Sequence, residues 1–160
     1  NIITKQEFSG HQLHVEFYVP VKEDPNDKLS GNSGVYVHGD YEIQVIDSHG
    51  IDPDAGVCCG AIYGEAAPLV NASLPAGEWQ SFDVYFHAPR FGGEGKLVEK
   101  ARMSVLHNGI WIHDDRECDM TPGGLAGNLK TTGPLLLQYH GYPVRYRNIW
   151  VRLLVSNVER

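Results

Sequence analysis

The stretch Gly31-Asn32-Ser33-Gly34-Val35-Tyr36-Val37-His38-Gly39-Asp40-Tyr41-Glu42-Ile43-Gln44-Val45-Ile46-Asp47-Ser48 decides the fold. It opens on a polar turn and then alternates. Successive side chains of a strand point to opposite faces, so Tyr41, Ile43 and Val45 share one side and Glu42 and Gln44 share the other. Gly39-Asp40 divides the run into two strand segments. A carboxylate and an amide two residues apart, on a strand otherwise made for burial, face either solvent or a substrate.

The same alternation recurs on both sides of this stretch. Leu13, Val15, Phe17 and Val19 alternate with His14, Glu16 and Tyr18, which predicts a half-buried strand over 11–19 that Pro20 ends. Residues 22–34 form a polar loop. Residues 48–78 are irregular, with a short apolar piece at Ala61-Ile62-Tyr63, and a loop this long in a compact domain usually carries function. Phe82, Val84 and Phe86 alternate with Ser81, Asp83 and Tyr85, giving a strand over 79–87. Asn108-Gly109 between two β-rich runs marks a two-residue hairpin turn, because both residues tolerate positive φ. After a loop over 117–134, strands follow over 135–140 and 144–155. No amphipathic helix of ordinary length is present. Short strands separated by turn residues predict an all-β fold, an antiparallel jelly-roll β-sandwich.

Composition narrows the function. The 160 residues suit one domain, and 18 glycines with nine prolines suit strands and turns. A net charge of -7 without a basic run argues against a nucleic-acid partner. No apolar run approaches the roughly 20 residues of a membrane-spanning helix. Cys58, Cys59 and Cys118 allow at most one bridge, to Cys118, and the lack of a C-x-x-C pair argues against a zinc–thiolate site. Asn71-Ala72-Ser73 fits the glycosylation acceptor pattern.

Several short segments, taken in order, resemble one family. They are Gly31 to Tyr36; Tyr41-Glu42-Ile43-Gln44-Val45 with Asp47; Cys59 to Tyr63; Pro75 to Gln80; and Ala88 to Phe91. They continue with Leu106 to Gly109, Gly133-Pro134 with Leu137-Gln138, His140-Gly141, and Val144 to Trp150. Together they are similar to the 3-keto-disaccharide hydrolase domain family over about Thr4 to Leu153. The resemblance implies a concanavalin A-like jelly roll in an exported bacterial protein, periplasmic or extracellular, acting on glycosides with a ketone at carbon 3. Members of that family carry an additional N-terminal segment and first strands. The expectation is therefore one domain over 1–160 without those strands or a leader. Its open sheet edge would invite a partner chain or a second copy.

A ketone at carbon 3 acidifies the carbon 2 hydrogen. A base removes it, an enediolate forms, and the oxygen on carbon 1 leaves by elimination, after which water can add back. The site needs a base that titrates near working pH, donors or a metal for the enolate oxygen, and an acid for the leaving oxygen. Glu42 or His140 is the candidate base. Arg147 and Gln138 are candidate oxyanion donors, and Gln44 an orienting group. Glu16 joins the substrate-binding set beside Arg147, and Trp111 offers an aromatic platform. Convergence of these strands on one groove is the expectation, with a bulge after Arg147 to set its side chain apart from Ile149. No metal ligand set is assigned. A divalent cation, calcium or manganese, is left open, with Asp40 and Asp47, or His14, Glu16 and His38, as the residues to watch.

Two other readings use the same residues. One is a non-catalytic carbohydrate-binding module, since jelly rolls serve lectins as readily as enzymes. The other is an assembly subunit of an envelope complex.

Overall fold

The computed structural model describes residues 1–125 and 127–154. In chain order the strands are β1 (Ile2–Phe8), β2 (His11–Tyr18), β3 (Ser33–Val37), β4 (Tyr41–Val45), β5 (Trp79–His87) and β6 (Arg90–Phe91). They continue as β7 (Leu97–Glu99), β8 (Ala101–His107), β9 (Ile110–Cys118), β10 (Gly133–Leu137) and β11 (Arg145–Leu153). Two antiparallel sheets form a sandwich. One runs β1-β10-β3-β4 and the other β11-β2-β5-β8-β9, with β6 and β7 as a small separate hairpin. Among the described residues there is no α-helix, only a single 3₁₀ turn at Gly93–Gly95.

Alternation explains the core. Leu13, Val15 and Phe17 of β2 and Phe82, Val84 and Phe86 of β5 are fully sealed against Val35, Val37, Tyr41, Ile43 and Val45 of the facing sheet. The Asn108-Gly109 turn has positive φ at both residues and joins β8 to β9. The β3–β4 turn runs through His38 and Gly39, also at positive φ. Residues 2–8, which the sequence reading left unassigned, form an edge strand whose Ile2 is 70% exposed. Gln138 to His140 lie past the end of β10, and Val155 lies outside the described residues. The expected bulge is present: Arg147 pairs with Glu16 and Trp150 with His14, so β11 carries one extra residue there, and Asn148 sits at φ 48°.

The irregular segment 48–78 has a definite structural role. Gly60 donates to Gln44 O and Gln44 to Ala61 O, at 2.8 and 2.9 Å, and Tyr63 donates to Glu42 O at 3.1 Å. Residues 60–63 therefore cover the outer edge of β4, which would otherwise be unpaired. All three cysteines are buried free thiols, and the one bridge the sequence allowed is not formed.

Candidate functional site

Strand β4 is buried on both faces. Its inward residues belong to the core, and its outward pair, Glu42 and Gln44, lies under two covering segments. Tyr63 comes from the edge-covering segment. Pro122 and Gly123 come from a strap after β9, and both segments line the same cleft. Thr121 fastens the strap: its Oγ1 accepts the Glu42 N–H at 2.9 Å, and its own N–H donates to Asp40 O at 2.8 Å. The result is an open cleft of about 250 Å³ on the outer face of the four-stranded sheet, lined also by Asn32, Tyr36, Gln138 and His140.

The electrostatics follow from the cover. Burial pushes the Glu42 carboxyl from its ordinary 4.5 up to about 7, although a hydrogen bond from the Tyr36 hydroxyl opposes the rise. Tyr36 is the cross-strand partner of Glu42. Gln138 Nε2 in turn donates to the Tyr36 hydroxyl at 3.0 Å, so a chain of polar contacts runs from Gln138 through Tyr36 to Glu42. Gly34 makes room for this group: a Cβ there would run into the Glu42 carboxyl and the Tyr36 ring. Gln44 donates from Nε2 to Gly56 O at 3.0 Å, and its buried Oε1 has no partner. A buried acceptor left empty costs about 1–3 kcal/mol.

Of the residues singled out in the sequence, Glu42, Gln44, Gln138 and His140 meet in this cleft, with His140 exposed at its rim. Arg147, Glu16 and Trp111 do not, which corrects the expected single groove. They sit on the other sheet, on β11, β2 and β9, with the hydrophobic core between them and Glu42. Arg147 Nε instead donates to Glu16 at 2.6 Å, and its guanidinium lies 3.8 Å from the centre of the Trp79 ring. Parity put all these groups on outer faces, but a sandwich has two outer faces. Asn32, Tyr36 and Tyr63 are cleft residues that sequence reasoning missed. Tyr36 was within reach, because pairing the two halves of the opening stretch across the Gly39 turn sets it opposite Glu42.

The candidate metal sets do not assemble. His38 stacks on His11 at 6.2 Å, apart from His14 and Glu16 on the five-stranded sheet's outer face. Asp40 and Asp47 flank β4 at opposite ends, and Asp47 pairs with Lys22 at 3.6 Å. Among the described residues no three His, Cys, Asp or Glu side chains gather as metal ligands.

Residues 1–152 match the model of the 3-keto-alpha-glucoside-1,2-lyase-like domain. The chain belongs to that family. A candidate glycosyl hydrolase from Parabacteroides distasonis is 33% identical with a TM-score of 0.81, over 95% of this chain and 67% of that one. A second candidate glycosyl hydrolase from the same organism shares the fold at 23% identity and a TM-score of 0.66, over 95% of this chain and 82% of that one. No curated protein sequence matches the chain. Among the described residues no helix is long and apolar enough to cross a membrane.

Proposed function

We propose that the cleft cleaves 3-keto glycosides by base-promoted elimination, with Glu42 as the base. A carboxyl that titrates near 7 is half ionised at neutral pH and takes up a proton at little cost, which suits general-base work. Glu42 accepts the proton from carbon 2, and the C–H electron pair moves into an enolate spread over carbon 2 and the carbon 3 oxygen. The enolate then expels the oxygen on carbon 1. That C–O bond breaks as a carbon 1–carbon 2 double bond forms, and the leaving oxygen takes a proton. The products are an alcohol or sugar and a conjugated enone; addition of water across the enone yields the hydrolysed sugar.

His140, exposed at the rim, is our candidate to protonate the departing oxygen. Asn32 and the second N–H of Gln138 supply donors to the enolate oxygen, the role sequence reasoning gave to Arg147. Gln44, which lines the cleft beside Glu42, orients the ring. Elimination needs no second carboxylate across the ring, which fits a cleft with one acidic residue and differs from the paired acids of ordinary glycosidases.

The observation that carries this reading is a single covered carboxyl, Glu42, lining an open polar cleft with Gln138 and His140. Incubation with a 3-keto disaccharide tests it. An ultraviolet enone band or free sugar should appear with the parent protein and disappear with Glu42→Gln. Equal turnover by the two proteins would refute Glu42 as the base.

A further inference from the structure

We propose that the outer face of the five-stranded sheet is a second saccharide-binding surface, taking an oligosaccharide laid across the strands from Trp150 to Trp111. The register places five residues in one transverse row. Trp150 pairs with His14, His14 with Asp83, Asp83 with Leu106, and Leu106 with Trp111. Neighbouring strands lie about 4.8 Å apart, so four steps give a row of about 19 Å, the reach of a short oligosaccharide rather than of one sugar ring.

The chemistry of the row is that of a sugar chain. A pyranose has apolar C–H faces and a rim of hydroxyls. Indole planes take the faces, and fixed polar groups take the rim. Trp150 and Trp111 are 42% and 49% exposed at the two ends. Trp150 stacks nearly parallel on the His14 ring at 5.3 Å, and Trp111 lies 6.3 Å from Tyr85. Beside the row a depression of about 240 Å³ is lined by Trp79, Ser81, Asn108 and Arg147 together with His14 and Glu16.

These side chains are already held in place. Asp83 Oδ1 lies 2.7 Å from His14 Nδ1, and Glu16 accepts from both Arg147 and Asn148, at 2.6 and 2.8 Å. Ordering them on binding therefore costs little further entropy. Beside the row His14 pairs with Asp83 and Arg147 with Glu16, and the whole chain carries -7, which argues against a phosphate chain. This surface is separate from the Glu42 cleft and does not depend on its chemistry.

Nuclear magnetic resonance of the indole N–H groups tests the proposal, because the chain has only three tryptophans. The probes are unoxidised α- and β-linked glucose oligosaccharides, from disaccharide to hexasaccharide, at millimolar concentration. The Trp150 and Trp111 signals should shift together, with affinity rising several-fold with chain length. Trp150→Ala and Trp111→Ala should each weaken binding at least fivefold, and Trp150→Tyr should retain most of it, which separates a lost platform from a lost fold. Glu42→Gln should bind as the parent does. Unmoved indole signals with every chain, or binding lost in Glu42→Gln, would overturn the proposal. Indole shifts without any cleavage of 3-keto glycosides would leave this surface standing and remove the lyase reading instead.

Discussion

Glu42 and Glu16 start from the same local position. Each points outward from a strand that alternates with core residues, and each stands opposite a polar partner on the next strand. Their fates diverge. Glu42 is 3% exposed, faces Tyr36 and rises to about 7 through burial. Glu16 is held below the usual carboxylate range by hydrogen bonds from Asn148 and Arg147. One is a covered carboxyl that titrates near neutrality; the other is a fixed anion held by Asn148 and Arg147. The strand does not make the difference. The strap at Thr121 to Gly123 and the covering segment at Tyr63 do, by excluding water from one face of the sandwich and not from the other.

Exchange of the two carboxylates for amides tests that contrast most directly. Glu42→Gln keeps the shape of the side chain and removes the base, so cleavage of a 3-keto glycoside should fall about 10²–10⁴-fold in an enone-absorbance assay. Glu16→Gln should change the same rate less than tenfold. A larger loss from Glu16 would mean that the open face carries the chemistry.

The next effect concerns space. Gly34→Ala drives a methyl group into the Glu42 carboxyl and the Tyr36 ring. It should destabilise the fold by about 1–3 kcal/mol in urea denaturation and depress turnover with it. A neutral outcome would mean that the cleft wall yields more easily than its packing implies.

Thr121→Val attacks the cover itself. The variant keeps the volume but leaves the Glu42 N–H without its acceptor, which should cost about 1–2 kcal/mol. Loosening the strap lets water reach the carboxyl, so the pH midpoint of cleavage should move downward, toward that of an ordinary glutamate. A midpoint that stays near 7 would show that the strap is not what keeps water out.

The smallest effect is on stability against pH, and it has two opposing arms. Because Glu42 titrates higher in the folded protein than its ordinary 4.5, its contribution is complete below about 4.5 and is lost as pH rises through 7. Glu42→Gln should abolish that slope and raise Tm by a few degrees near pH 8. His38 and His107 behave oppositely. Burial lowers both to about 4, so their contribution is present above the ordinary 6.5 and is lost as pH falls through 4. The two windows overlap, with two histidines against one carboxyl, so thermal scans should rise from about pH 4 to about 6.5 and fall only slightly between about 6.5 and 7, and in Glu42→Gln the rise should steepen and the fall should vanish.

Much of the sandwich was legible because alternation is a local signal. The strands around Val15, Ile43 and Val84 and the Asn108-Gly109 turn each follow from their own residues and immediate neighbours. The edge strand at Ile2–Phe8 was not, since its exposed residues show no apolar alternation. Half of the site was legible for the same reason: Glu42 and Gln44 share a face by parity alone. The rest required knowing which sheet each strand joins. Parity places Arg147 and Glu42 alike, on outward faces, and only the strand order sends them to opposite sides of the core.

By itself the amino-acid sequence determined most of the long strands, the inward and outward face of each, and the family. Tertiary structure alone decided that Tyr63 and Pro122 close over Glu42 while Trp150 and Trp111 stay in solvent. The physical reason is range. Side-chain alternation is set by adjacent peptide units, whereas desolvation of a carboxyl depends on segments that come from 21 and 80 positions further along the chain and meet it only in the folded sandwich.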